Sequence, residues 1–228
     1  MTDRPEKPLS PDWLYAGNVL QAVERFVDAA DGEGALPVLR EALGEQQRLQ
    51  GGHLETSPER FTVEHLIEPC LSALGYAPVG QPVDLVEHER HSPDFRLRGV
   101  DGEYVVVVES KAFNADAAAD REDLAAYLDA FGKYREDLDG RYLVGIATDG
   151  IRWLLYGKHL ETGTRDVVGR RTISTTLREV MLDRLIDDYR DDGRWREQRR
   201  QELTAEFVPL FAAPYLPGHV GDALPGPG

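Results

Sequence analysis

The chain has one cysteine, Cys70, in 228 residues. That excludes an intramolecular disulfide and a cysteine-built zinc site. Cys70 lies in an apolar helical pattern and reads as core. Lysine is scarce as well: of 26 basic residues only four are lysine, at positions 7, 111, 133 and 158. No stretch approaches twenty apolar residues, so no transmembrane helix is expected. The first ten residues are charged and proline-containing, unlike a secretory leader. These absences together predict a soluble, cytoplasmic protein that does not engage a membrane. No G-x-x-x-x-G-K-[ST] loop occurs, so the chain is expected to have no ATP motor of its own. No internal repeat is present.

What the chain has in excess is acid. Aspartate and glutamate number 41 against 26 lysine plus arginine, a formal net charge of −15. The acids are spread along the whole chain instead of forming a tail. A diffuse acidic surface with few lysines resembles that of proteins from extreme halophiles, where salt screens self-repulsion. An acidic mesophilic protein from a GC-rich genome, which also favours arginine, is the other reading. Acidity of this size disfavours tight nucleic-acid binding without excluding it.

Periodicity divides the chain. Trp13, Leu14, Leu20, Val23, Phe26 and Val27, then Leu36, Val38, Leu39 and Leu43, recur at helical spacing, with Asp31-Gly32-Glu33-Gly34 between them. Residues 1–56 are therefore expected to form a helical extension. Residues 57–174 are expected to form the central domain: helix, three strands, helix, two strands. Its first helix should run from Phe61 to a stop at Gly75, with Pro69 kinking or dividing it. Strands are expected near 79–86, 94–98 and 104–112, a helix over 121–138, and strands over 142–148 and 152–157. Gly99-Val100-Asp101-Gly102 and Asp149-Gly150 read as hairpin turns. Residues 175–211 read as a second helical extension, and 212–228, rich in proline and glycine, as a loosely ordered tail. The fold class is α/β, with a mixed central sheet flanked by helices.

The chemistry gathers in two short pieces: Ser92-Pro93-Asp94-Phe95 and Val105-Val106-Val107-Val108-Glu109-Ser110-Lys111. Four consecutive valines predict a strand buried on both faces. Strand side chains alternate, so Glu109 and Lys111 point to one side. Burying them costs several kcal/mol per charge, as an order of magnitude, unless each finds a partner. Asp94, one hairpin earlier, supplies a second carboxylate. Two acids and an ammonium at one strand end suit a hard cation beside a positive charge, the chemistry of phosphodiester cleavage. The bland alternative is a solvated ion pair at a strand end, with Asp94 as a turn residue after proline.

The order helix, Pro93-Asp94, Glu109-Ser110-Lys111, helix resembles the PD-(D/E)xK nuclease superfamily. Within it, residues 58–158 are most similar to the N-terminal nuclease domain of type I restriction enzyme R subunits. Leu66-Ile67-Glu68-Pro69-Cys70-Leu71 with Leu74-Gly75-Tyr76 resembles that family's leading helix, and Ile146-Ala147-Thr148-Asp149-Gly150 with Trp153 and Tyr156 its final hairpin. Tyr134 matches the family's second-helix tyrosine, whereas Ala130 stands where a glutamine is usual.

The resemblance implies a restriction-endonuclease-like sheet and a Mg²⁺-dependent (or Mn²⁺-dependent) DNA endonuclease in restriction or defence. Asp94, Glu109 and the Ser110 carbonyl would be metal ligands, Lys111 catalytic, and Tyr134 supporting. Glu64, eleven residues before Gly75, fits the spacing of an acid that joins the metal site in many relatives; Glu59 is the runner-up, and a solvated helix acid is the alternative for Glu64. Without a motor, such a chain would borrow a helicase or methyltransferase partner, recognise a simple feature, or cleave with little specificity. A nuclease-fold scaffold or DNA-binding subunit with little catalysis is the competing expectation. A purely helical interaction protein is disfavoured by the valine run and hairpin signals. His88 and His91 lack ordered ligand spacing and read as loop residues. Arg194, Arg196, Arg199 and Arg200 read as charge on a solvated helix.

Overall fold

The computed structural model describes residues 10–45, 47–80, 93–100, 102–115, 125, 128–129, 140–186 and 193–226. Six strands form one sheet in the order β1 (Ala77–Gly80), β2 (Phe95–Arg98), β3 (Tyr104–Ser110), β4 (Tyr142–Thr148), β5 (Arg152–His159) and β6 (Arg165–Thr172). All neighbours are antiparallel except β3 and β4, which are parallel. The chain is thus mixed α/β with a central mixed sheet flanked by helices. The valine run behaves as expected: Val105, Val106, Val107 and Val108 are all buried. Val106 and Val108 join one core, and Val105 and Val107 join a second on the opposite face.

The first face is covered by helices from both ends of the chain. Helix α1 (Pro11–Gly32) starts where Ser10 accepts a hydrogen bond from the Trp13 N–H and Pro11 takes the first turn. It buries Val19, Val23, Phe26, Val27 and Ala30, one stripe at helical spacing. Phe26 meets Phe61 and Phe113 at ring-centroid distances of 5.5 and 5.4 Å. Helix α2 (Leu36–Glu45) follows a break at Gly34, whose φ is 69°.

The helix expected from Phe61 to Gly75 is continuous but not uniform. It runs as α3 (Pro58–Thr62), a π turn over Val63–Ile67, and α4 (Glu68–Ala73). Pro69 explains the widened turn. Its ring would press on the carbonyl four residues back and it offers no N–H to the ladder. The Glu68 N–H instead reaches the Val63 carbonyl five residues back. The helix is therefore not broken at Pro69. The same pattern recurs in the C-terminal region, where α5 (Ser174–Leu185) and α6 (Arg194–Glu202) lead into a π turn over Leu203–Phe207. Pro209 lies in the following α7 (Val208–Phe211).

Three expectations need correction. The tail is ordered through residue 226: α8 (Leu216–Ala223) places Leu216, Val220 and Leu224 fully in the core. Their spacing of four is a helical stripe, and Pro217 sits in the first turn, where proline is tolerated. The connection after β4 has three residues, 149–151, instead of two. Asp149 Oδ1 accepts from the N–H groups of Ile151 and Arg152 and closes it. Strand β6 was not expected at all; its sequence, Arg-Asp-Val-Val-Gly-Arg-Arg-Thr, is mostly exposed and belongs to the sheet edge.

Of the strand expected near 79–86 only Val79 and Gly80 are described, in β1. Most of the helix expected over 121–138 lies outside the described residues. Of that helix, Ala125, Leu128 and Asp129 are described, with Leu128 in the second core. Asp129 ties this segment to the sheet through Lys158 Nζ at 2.8 Å and Arg165. Its carboxyl is held below the usual range, chiefly by the Lys158 hydrogen bond.

Candidate functional site

Strands β3 and β4 end together, and the loop entering β2 lies beside them. Phe95 is registered to Val108, so one step outward Asp94 and Glu109 stand at the same end of the β2–β3 ladder. The Asp94 N–H donates to the Val108 carbonyl at 3.0 Å, so Asp94 and Phe95 share one β3 residue at this mouth. Asp94 Oδ2 accepts from the Ser110 N–H at 2.7 Å and from Ser110 Oγ at 2.6 Å. Charge-assisted bonds of this kind hold a carboxylate in one orientation. Oδ1 of Asp94 takes no hydrogen bond among the described residues.

Glu109 is nearly buried, with its side chain 11% exposed, and Lys111 Nζ lies 2.7 Å from its Oε1. Lys111 is 35% exposed, so its ammonium stands between the buried acid and solvent. The pair therefore matches the expected same-side placement of residues two apart on a strand. Its backbone is fixed from two sides. The Lys111 N–H donates to the Thr148 carbonyl at the end of β4. Two residues on, the Phe113 N–H donates to Thr62 Oγ1, which itself donates to the Pro58 carbonyl. The π-bearing helix is thus tied directly to the segment that follows Lys111.

Glu64 lies on the π turn, but it faces a different partner. Arg60 Nε donates to its Oε1 at 2.7 Å across one helical turn, and its side chain is 41% exposed. Among the described residues no three His, Cys, Asp or Glu side chains gather closely enough to hold a metal ion. Glu64 is thus not grouped with Asp94 and Glu109. Glu59 is in the first turn of α3. Tyr134, His88 and His91 lie outside the described residues.

The arginines of α6 are not a solvated set. Arg199 is buried and pairs with Glu202; Arg196 bonds Glu24 and Asp183; Arg200 donates to the Trp13 carbonyl and lies 4.4 Å over its ring. Their partners on α1 lie more than 170 residues away in sequence, which is why charge pattern alone does not show them. Cys70 is buried, and burial pushes its thiol up to about 12, so it is an inert core residue.

The donor set suits a hard, oxygen-seeking ion. Mg²⁺ is commonly held by one or two carboxylates and keeps several waters, so Asp94 Oδ1 with Glu109 is a sufficient protein contribution. A soft or borderline ion has no sulfur or imidazole here among the described residues. No helix among the described residues is long and apolar enough to cross a membrane. No protein-family model matches this chain, and no curated protein and no solved structure matches it either.

Proposed function

We propose that the chain is a Mg²⁺-dependent or Mn²⁺-dependent endonuclease of restriction-endonuclease-like fold that hydrolyses phosphodiester bonds in DNA, in restriction or defence. The observation that carries this reading is the placement of Asp94 and Glu109 at one end of β2–β3, with Lys111 Nζ 2.7 Å from Glu109 Oε1. The strand order agrees with it: an antiparallel β1–β2–β3, a connection to a parallel β4, and a hairpin into β5. Asp94, Glu109 and the Ser110 carbonyl would hold the ion, which supplies a Lewis acid and a more acidic bound water.

The protein's own residues do the rest. Ser110 fixes the Asp94 carboxylate through its N–H and Oγ, which leaves Oδ1 presented outward. Glu109 and Lys111 set each other's positions. The partly exposed Lys111 ammonium is placed to stabilise negative charge building on a phosphoryl oxygen in the transition state. Attack by water on phosphorus, with departure of the 3′ oxygen, would leave a 5′ phosphate and a 3′ hydroxyl.

One observation favours a second reading. Both Ser110 bonds to Asp94 would also serve a purely structural carboxylate, as in a nuclease-fold scaffold subunit of a defence or repair complex. Supercoiled plasmid separates the two. We predict nicking that requires Mg²⁺ or Mn²⁺, stops with chelator, and falls at least about 100-fold in Asp94→Ala and Glu109→Ala, on the scale of losing transition-state charge stabilisation. Folded wild-type protein that never nicks with either ion, across low to molar salt, contradicts the enzyme reading and leaves the scaffold.

A further inference from the structure

The sheet carries a second feature at the same end, on strands that the metal-site argument does not use. A cleft of about 740 Å³ opens between the β5–β6 ladder, the start of α5 and the π turn at Leu203–Phe207. Leu154, Val167, Leu203 and Phe207 contribute its apolar lining. Its basic lining is Arg152, Arg170 and Arg171. In a chain of net charge −15, three arginines around one cleft are a local reversal of sign.

Their charges are unequally engaged. Arg152 Nη1 is paired with the buried Asp149 at 2.7 Å. Arg171 donates to the carbonyls of Glu206 and Arg170, both neutral groups, so those bonds leave its charge uncompensated. Arg170 is exposed, and its guanidinium has no ion pair among the described residues. On the facing wall, Glu202 is held by Arg199, and Glu206 is the remaining carboxylate.

The register relates this cleft to the acids. Glu109 is paired with Ala147, Ala147 with Leu154, and Leu154 with Arg170. Paired residues in a sheet share a face, so Glu109 and Arg170 lie in one row on one side of the sheet. Arg152, two residues before Leu154, lies on that side as well. Three strand spacings separate the ends of the row, about 14 Å. That is about four steps of a nucleic-acid duplex at 3.4 Å each.

We propose that the β5–β6 cleft is a phosphate-backbone contact for DNA, with Arg170 and Arg171 as its anchoring charges. It rests on the nuclease reading for its choice of ligand: the row leads from the arginines to the acids where a scissile phosphate would lie. The contact is independent of sequence, because it meets phosphates and not base edges. It also answers the acidity of the chain, which repels DNA everywhere except where uncompensated arginines stand.

The test is anisotropy of a short fluorescent DNA duplex in chelator, so that binding is read without cleavage. Wild type, Arg170→Glu, Arg171→Gln and Glu206→Gln are compared over a salt series in which the circular dichroism of each is constant. Arg170 is exposed, so its reversal leaves the packing intact. We expect Arg170→Glu to weaken binding about tenfold or more and to lower the log–log salt slope by about one. Arg171→Gln should shift both in the same direction, and Glu206→Gln should tighten binding.

Unchanged affinity and slope in both arginine variants, or no duplex binding by wild type, overturns the cleft. Its failure and that of catalysis are distinguishable. Metal-dependent nicking with no effect of the arginine variants keeps the nuclease and removes the cleft. Arginine-dependent binding with no nicking under any metal keeps the cleft and removes the catalysis.

Discussion

At the scale of single residues, the account turns on how two carboxylates tolerate each other at the end of a buried strand. Like charges placed close together raise the cost of ionising both, and a cation relieves it. Lys111 already offsets part of the Glu109 charge, and Ser110 stabilises Asp94. A bound divalent ion would add to this in the native state only, which raises the melting midpoint by mass action. Mg²⁺ at constant ionic strength should therefore raise the melting temperature of wild type and leave Asp94→Ala unmoved. Equal shifts in both would place the ion on the general acidic surface. These residues were legible in the sequence because a valine run fixes strand, face and end at once. Glu64 was not, because helical spacing alone does not distinguish an acid facing the site from one bonded to Arg60.

At the scale of elements, the sequence was clearest where patterns are periodic and weakest where an element is defined by its neighbours. Helices α1 and α2, strands β3 to β5 and the glycine stop at Gly75 follow from spacing and turn residues. Strand β6 does not, since an exposed edge strand needs no apolar alternation and is held by its pairing with β5. The π turns were hidden for another reason: a proline in a helical stripe does not state whether the helix breaks, kinks or widens.

Gly150 gives an element-level test. Its φ is 81°, and a Cβ there would lie 2.6 Å from Leu66 Cδ2 and 3.2 Å from Thr62 Cγ2. The loop after β4 is thus pressed against the π turn that anchors Phe113. Left-handed backbone and overpacking together should make Gly150→Ala destabilising by about 2–4 kcal/mol. A chemical-denaturation curve within about 0.5 kcal/mol of wild type would show that this contact does not constrain the loop.

At the scale of the whole molecule, both helical extensions share a core with the sheet. Buried residues from Ala16 to Leu224 form one cluster, including Phe26, Phe61, Trp153, Phe207 and Phe211. Sequence composition separated these regions because it weighs each segment alone, and long-range packing is invisible to it. One shared core predicts one cooperative transition. The charge predicts how that transition depends on salt. With 41 acids against 26 bases, repulsion reaches about 30 Å at 0.01 M salt and about 3 Å at 1 M. The compact state suffers more from it, so stability should fall globally as salt is removed. Circular dichroism during dialysis from molar KCl to dilute buffer checks this. A full signal with an unchanged cooperative melt in dilute buffer would identify an acidic protein that does not need salt.

The most direct measurement is made on Lys111→Ala. If Lys111 serves the reacting phosphate, this variant should keep a Mg²⁺-induced rise in melting temperature while its plasmid nicking falls at least about 100-fold. Nicking at the wild-type rate by folded Lys111→Ala would contradict the site as described.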